Sequence, residues 1–86
     1  MEDQDIYMKK AEIIEDINNF LVEEFEIDKD LINPKATWKD IGIDSLDFVD
    51  IVVIIERNYG FKLKGEEMAN ITTLEQFYNH IHQRFS

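Results

Sequence analysis

The chain has 86 residues, carries nineteen Asp and Glu against nine Lys and Arg for a formal net charge of -10, and has no cysteine. A chain this short buries only roughly 60–65% of its unfolded surface, which leaves little room for a large catalytic cleft, and without disulfides packing alone must hold the core. The charge disfavours nucleic acid and anionic lipid and favours proteins with basic patches, while the lack of a leader or of an apolar run near ~18–20 residues predicts a cytoplasmic protein without membrane insertion.

From Ile6 to Phe25, apolar residues Ile6, Ile13, Ile14, Ile17, Phe20, Leu21 and Phe25 recur at helical spacings, with Lys9, Lys10, Glu12, Glu15, Asp16, Glu23 and Glu24 between them. That pattern predicts a first amphipathic helix. The segment Asp28 to Ile43 breaks the period and contains Pro34. Connections beyond about 12–15 residues are uncommon unless they have a task or a turn of their own, and Trp38 and Ile41 are the residues expected to pin this one to the core.

A second helix is expected to start at Asp44, whose carboxylate can cap free N–H groups while Asp47 completes an acidic capping box. It runs through Tyr59 to Gly60, which can take the left-handed conformation that stops a helix. Gly65 to Asn70 suits one short helical turn. The last helix opens at Thr72 or Thr73, ahead of Glu75 and Gln76, and buries Leu74, Phe77, Tyr78, Ile81 and Phe85. Nothing reads as a strand, a repeat or a flexible linker. The expected fold is all-α, one domain over 1–86: a small bundle of three principal helices plus one short helix.

At 100° per residue, Phe48, Ile51, Val52, Ile55 and Tyr59 share one arc of roughly 100° on the second helix, the core face. Leu46, Val49 and Val53 form another apolar stripe opposite, bordered by Asp47, Asp50 and Glu56. Such a stripe suits docking, the acids steering a basic partner and the apolar residues supplying contact. Burial on every side is the competing reading, against which stands the cost of burying the charged border.

Ser45 falls in the first turn, where unpaired N–H groups and the helix dipole favour a phosphate, although serine is common at helix starts for propensity alone. The run Gly42-Ile43-Asp44-Ser45-Leu46-Asp47 resembles the attachment motif of acyl carrier proteins, and the similarity extends from about Trp38 to Leu74, through Val49, Glu56, Tyr59, Glu66, Glu67 and Ile71-Thr72-Thr73-Leu74. This resemblance implies that Ser45 receives 4'-phosphopantetheine from coenzyme A and that the arm's thiol carries acyl groups as thioesters. The protein itself would then be a non-catalytic, monomeric carrier. It further implies that Asp44, Leu46, Asp47, Val49, Asp50, Val53, Glu56 and Arg57 meet a phosphopantetheinyl transferase and acyl-loading, condensing and acyl-transfer enzymes. Phe48, Ile54, Ile55, Leu63 and Met68 are the corresponding candidates for lining an acyl cleft.

The chain departs from the common carrier of fatty acid synthesis in the positive charge of Arg57, Lys62 and Lys64 and in the bulk of Phe48 and Ile54. That points to a specialised pathway, polyketide or lipid-modifying, over bulk fatty acid synthesis. A peptidyl carrier fits less well, since its motif is usually of Gly-Gly-His-Ser type, and a D-alanyl carrier fits the residues after Ser45 less well. An unmodified acidic adaptor that docks helices through the Leu46, Val49 and Val53 stripe is the reading from another class. An enzyme using Ser45 with His80 or His82 is disfavoured, because histidines two apart on a helix face different ways and decorate its surface. They are equally ill-spaced for a metal, and the acids near Asp40 lack the glycine and final glutamate of a calcium loop.

Overall fold

A computed structural model describes residues 10–85, without the side chain of Phe85; Ile6 and Lys9 of the expected first helix, and the burial of Phe85, lie outside the described residues. Helix α1 spans Lys10–Phe25, α2 Ser45–Tyr59, α3 Gly65–Asn70 and α4 Leu74–Phe85. The all-α bundle is as expected. Among the described residues the only pairing of extended backbone is an isolated bridge between Thr37 and Thr73.

Helix α1 buries Ile13, Ile17, Phe20 and Leu21, a stripe spaced by three and four. It meets the buried Ile51, Ile55 and Tyr59 of α2 and the buried Leu74, Phe77, Tyr78 and Ile81 of α4 in one apolar core. No buried polar side chain lacks a partner among the described residues. The Tyr59 hydroxyl donates to Asp16 Oδ2 at 3.4 Å and the Tyr78 hydroxyl to Asn18 Oδ1, so each phenol buries its ring and keeps its polar end paired. Burial raises the pKa of both.

Helix α1 stops where Glu26 takes φ 55, a left-handed conformation costing a non-glycine residue roughly 1–2 kcal/mol. The residue after it offsets that strain: Ile27 is buried, and its N–H donates to the Leu21 carbonyl at 3.3 Å.

The long connection then does two jobs. It carries a 3₁₀ turn at Lys29–Leu31, capped by Asp28, and a second turn in which Thr37 and Asp40 exchange hydrogen bonds at 3.0 and 3.1 Å. It also buries Ala36, Trp38, Ile41 and Ile43. Trp38 and Ile41 do pin it, as expected. The Trp38 ring sits edge-on to Phe48 and Phe77, with centroids 5.6 and 5.2 Å away, and its indole N–H donates to the Ile71 carbonyl at 2.8 Å. Further, the Ala36 and Pro34 carbonyls accept the N–H groups of Leu74 and Glu75, each at 2.9 Å. Thr73 Oγ1 accepts the Gln76 N–H at 3.2 Å. Backbone groups that a helix start leaves without partners are thus satisfied by the connection, and its length is what lets it cross the bundle to reach them.

Helix α3 is too short to stand by itself. Met68 anchors it in the core between the buried Leu63 and Ile71. On another side Glu67 is tied to α4: His80 Nε2 and an Arg84 guanidinium N–H donate to its Oε1 at 2.7 and 2.9 Å, and the Lys64 N–H donates to its Oε2 at 2.9 Å. The Lys64 N–H first, then His80 and Arg84, hold the Glu67 carboxyl below its usual pKa. His80 is therefore no plain surface ornament.

Candidate functional site

The start of α2 is built by the run from Gly42 to Asp47. Gly42 turns the chain at φ 81, a left-handed value glycine adopts at no steric cost, and Ile43 is buried. Asp44 Oδ1 then accepts the N–H groups of Leu46 and Asp47 at 3.0 and 3.2 Å, while Asp47 Oδ2 accepts the Asp44 N–H at 3.2 Å. This is the expected capping box. At the far end, Gly60 at φ 79 stops the helix, its N–H donating to the Glu56 carbonyl.

The box changes the electrostatics expected at Ser45. The N–H groups of Leu46 and Asp47 are already held by Asp44, and two carboxylates stand at the positive end of the dipole. The Ser45 side chain is exposed, and no hydrogen bond engages it among the described residues.

Ser45 opens a groove of about 590 Å³, bounded on the α2 side by Phe48, Val49, Val52, Val53 and Glu56 and on the other by Lys62, Gly65 and Ala69. The apolar stripe beside it faces solvent: Leu46 is 80% exposed, Val49 65% and Val53 45%. Burial of α2 on every side does not hold. Of the bordering acids, Asp50 and Glu56 are exposed and Asp47 is half-buried through its bond to Asp44.

The structure separates residues that the sequence grouped. Among the acyl-cleft candidates Phe48 alone lines the groove; it shares a neighbouring hollow of about 330 Å³ with Met68, whereas Ile55 and Leu63 are core residues. Ile54 follows Val53 by about 100° and lies outside the groove, in a hollow of about 190 Å³ lined also by Glu24, Phe25, Asp50, Val53 and Arg57; Val53 borders both. Arg57 thus stands on the α1 side of the stripe and Glu56 on the groove side. The groove's Val52, Lys62, Gly65 and Ala69 were not singled out as site residues. Gly65 and Ala69, four apart on α3, share one face, and a Cβ at Gly65 would meet nothing within 4 Å, so this wall of the groove is open.

The described residues contain no group of three His, Cys, Asp or Glu that could hold a metal ion, and no described helix is long and apolar enough to cross a membrane.

A family model described as a phosphopantetheine attachment site matches residues 15–81, which cover α2, the groove and most of α1 and α4. The chain belongs to this family. Phosphopantetheine-attachment proteins bear 4'-phosphopantetheine as their prosthetic group, and an exposed, unengaged hydroxyl at the mouth of an apolar groove fits such an arm. Similar proteins include the acyl carrier protein of Rubrobacter xylanophilus, 28% identical over 75 residues that make up 86% of this chain and 93% of that protein. The acyl carrier protein AcpXL of Rhizobium meliloti is 38% identical over 61 residues, 70% of this chain and 64% of that one. AcpXL of Brucella melitensis is 44% identical over 52 residues, 59% of this chain and 56% of its own length. The chain is thus a carrier of the acyl carrier protein family.

Proposed function

We propose that Ser45 bears the 4'-phosphopantetheine arm and that the chain delivers acyl groups to enzymes of fatty acid, polyketide or related lipid biosynthesis without catalysing a step itself. The observation that carries this reading is the exposed Ser45 hydroxyl, unengaged by any described residue, placed between the solvent-facing stripe and the groove. When bound, the arm supplies a terminal thiol that holds acyl groups as thioesters. The protein's own residues present it: the capping box fixes the first turn, Ser45 supplies the attachment oxygen, and Phe48, Val49, Val52 and Val53 offer apolar surface beside it.

Leu46, Val49 and Val53, with Asp44, Asp47, Asp50 and Glu56 around them, form the docking face for a phosphopantetheinyl transferase and for later enzymes with basic patches. Arg57 at its edge and Lys62 in the groove favour a specialised pathway over bulk fatty acid synthesis. Incubation with coenzyme A and a broad-specificity phosphopantetheinyl transferase, followed by intact-mass measurement, tests the assignment. A single adduct on the natural chain and none on Ser45→Ala supports it; no adduct on the natural chain, or an adduct that survives Ser45→Ala, overturns it.

A further inference from the structure

We infer that His80 and Arg84 of α4 are positioning residues for the groove, setting through Glu67 how far α3 stands from α2. Helix α3 presents three faces. Gly65 and Ala69, one turn apart, form the groove wall; Met68 points into the core; Glu67 turns toward α4. The wall and the tie therefore belong to one six-residue helix, and a rotation or retreat of α3 moves both.

Three donors converge on Glu67. Two of them, His80 and Arg84, are one turn apart on α4 and share Oε1 at 2.7 and 2.9 Å. The third, the Lys64 N–H, holds Oε2 at 2.9 Å and locks the start of α3 to the same carboxylate. Arg84 also lies over the Phe61 ring, with Cζ 4.8 Å from the centroid, so one guanidinium fastens both α3 and the segment that leads into it from α2. Lys62, on that segment, lines the groove as well.

An exposed ion pair is normally worth little. Here it acts on an element that has almost no stability of its own, so its loss is felt as local opening of α3 while the core stays closed. Releasing the tie lets the Gly65–Ala69 wall withdraw and the groove widen. For a tethered cargo, a consequence that rests on Ser45 bearing the arm, the tie sets how readily an apolar group is taken in beside α2.

The test compares the natural chain with His80→Ala, Arg84→Ala, the double variant and His80→Gln, which keeps a hydrogen-bond donor toward Glu67. Amide hydrogen exchange is read helix by helix on unmodified protein. The double variant should accelerate exchange of the 65–70 amides about three- to tenfold and leave those of α1 unchanged, with His80→Gln close to the natural chain. Unchanged α3 exchange, an equal rise in every helix, or a His80→Gln protein as fast as His80→Ala would overturn the inference. A second arm attaches a solvatochromic dye on a phosphopantetheine analogue through the transferase. Its emission should move further to the blue in the double variant, and unaltered emission would refute the link to the groove. Failure of the dye to attach at all counts against Ser45 and leaves the exchange result standing.

Discussion

The indole of Trp38 is fastened to the carbonyl of Ile71, thirty-three positions along the chain, by a buried hydrogen bond of 2.8 Å. Trp38→Phe keeps a ring between Phe48 and Phe77 but leaves that carbonyl buried and unpaired. Such a loss costs about 1–3 kcal/mol. We expect the thermal midpoint to fall by roughly 4–8 °C for each kcal/mol lost, with the helical circular dichroism of the folded state unchanged.

Val53 and Ile51 are two residues apart and on opposite sides of α2, 45% and 0% exposed. Val53→Asp should leave the free energy of urea unfolding within the ±0.5 kcal/mol typical of surface changes while slowing modification by the transferase. Ile51→Ala should cost about 2–5 kcal/mol. If Val53→Asp were the more destabilising of the two, the docking face would have to be reassigned to the core.

Glu67 supplies an acid-side signature. Its folded pKa lies below the ordinary value of 4.5, so the stability it contributes is present above pH 4.5 and is lost as pH falls through the lowered folded value. Protonation of the other surface acids acts the opposite way by relieving repulsion. The difference between the natural chain and Glu67→Gln isolates the effect: their gap in urea midpoint should close as pH falls below about 4. A gap independent of pH down to 2 would exclude it.

Repulsion among the acids gives a separate expectation. With a net charge of -10, raising ionic strength to 0.15 M, where the screening length is about 8 Å, should raise the melting temperature relative to low salt. Scanning calorimetry across a salt series checks this, and a flat series would mean that the charges are too far apart to matter.

The cap of α2 can be tested at Asp44. Asp44→Ala frees two N–H groups and should cost about 0.5–2 kcal/mol, whereas Asp44→Ser, which retains a side-chain acceptor, should lose less. Equal losses would show that the carboxylate, not its acceptor geometry, is what α2 requires.

Much of this arrangement could be read from the residues. The box at Asp44 and Asp47, the stop at Gly60 and the two apolar faces of α2 are written in local spacing, and the short turn at Gly65–Asn70 is present where expected. What could not be read depends on backbone groups or on the third dimension. The carbonyls of Pro34 and Ala36 that cap α4 have no side-chain signature. Glu26 is an improbable residue for a left-handed turn, and only the burial of Ile27 beside it makes sense of the position. At the site, Val53 borders both the groove and the hollow on its other flank, whereas Ile54 reaches only the hollow. The tie from Glu67 to His80 and Arg84 was invisible because it joins elements whose packing periodicity does not fix.

The dependence of the connection on Ile71, Leu74 and Glu75 has a consequence for the order of events during synthesis. Ser45 is translated well before its neighbouring scaffold can close, since the acceptor of the Trp38 indole and the start of α4 leave the ribosome later. At roughly 5–20 residues per second that delay is on the order of seconds. On the proposed reading, an enzyme that recognises the finished platform around Ser45 acts only after residues 71–75 have emerged and docked on the connection.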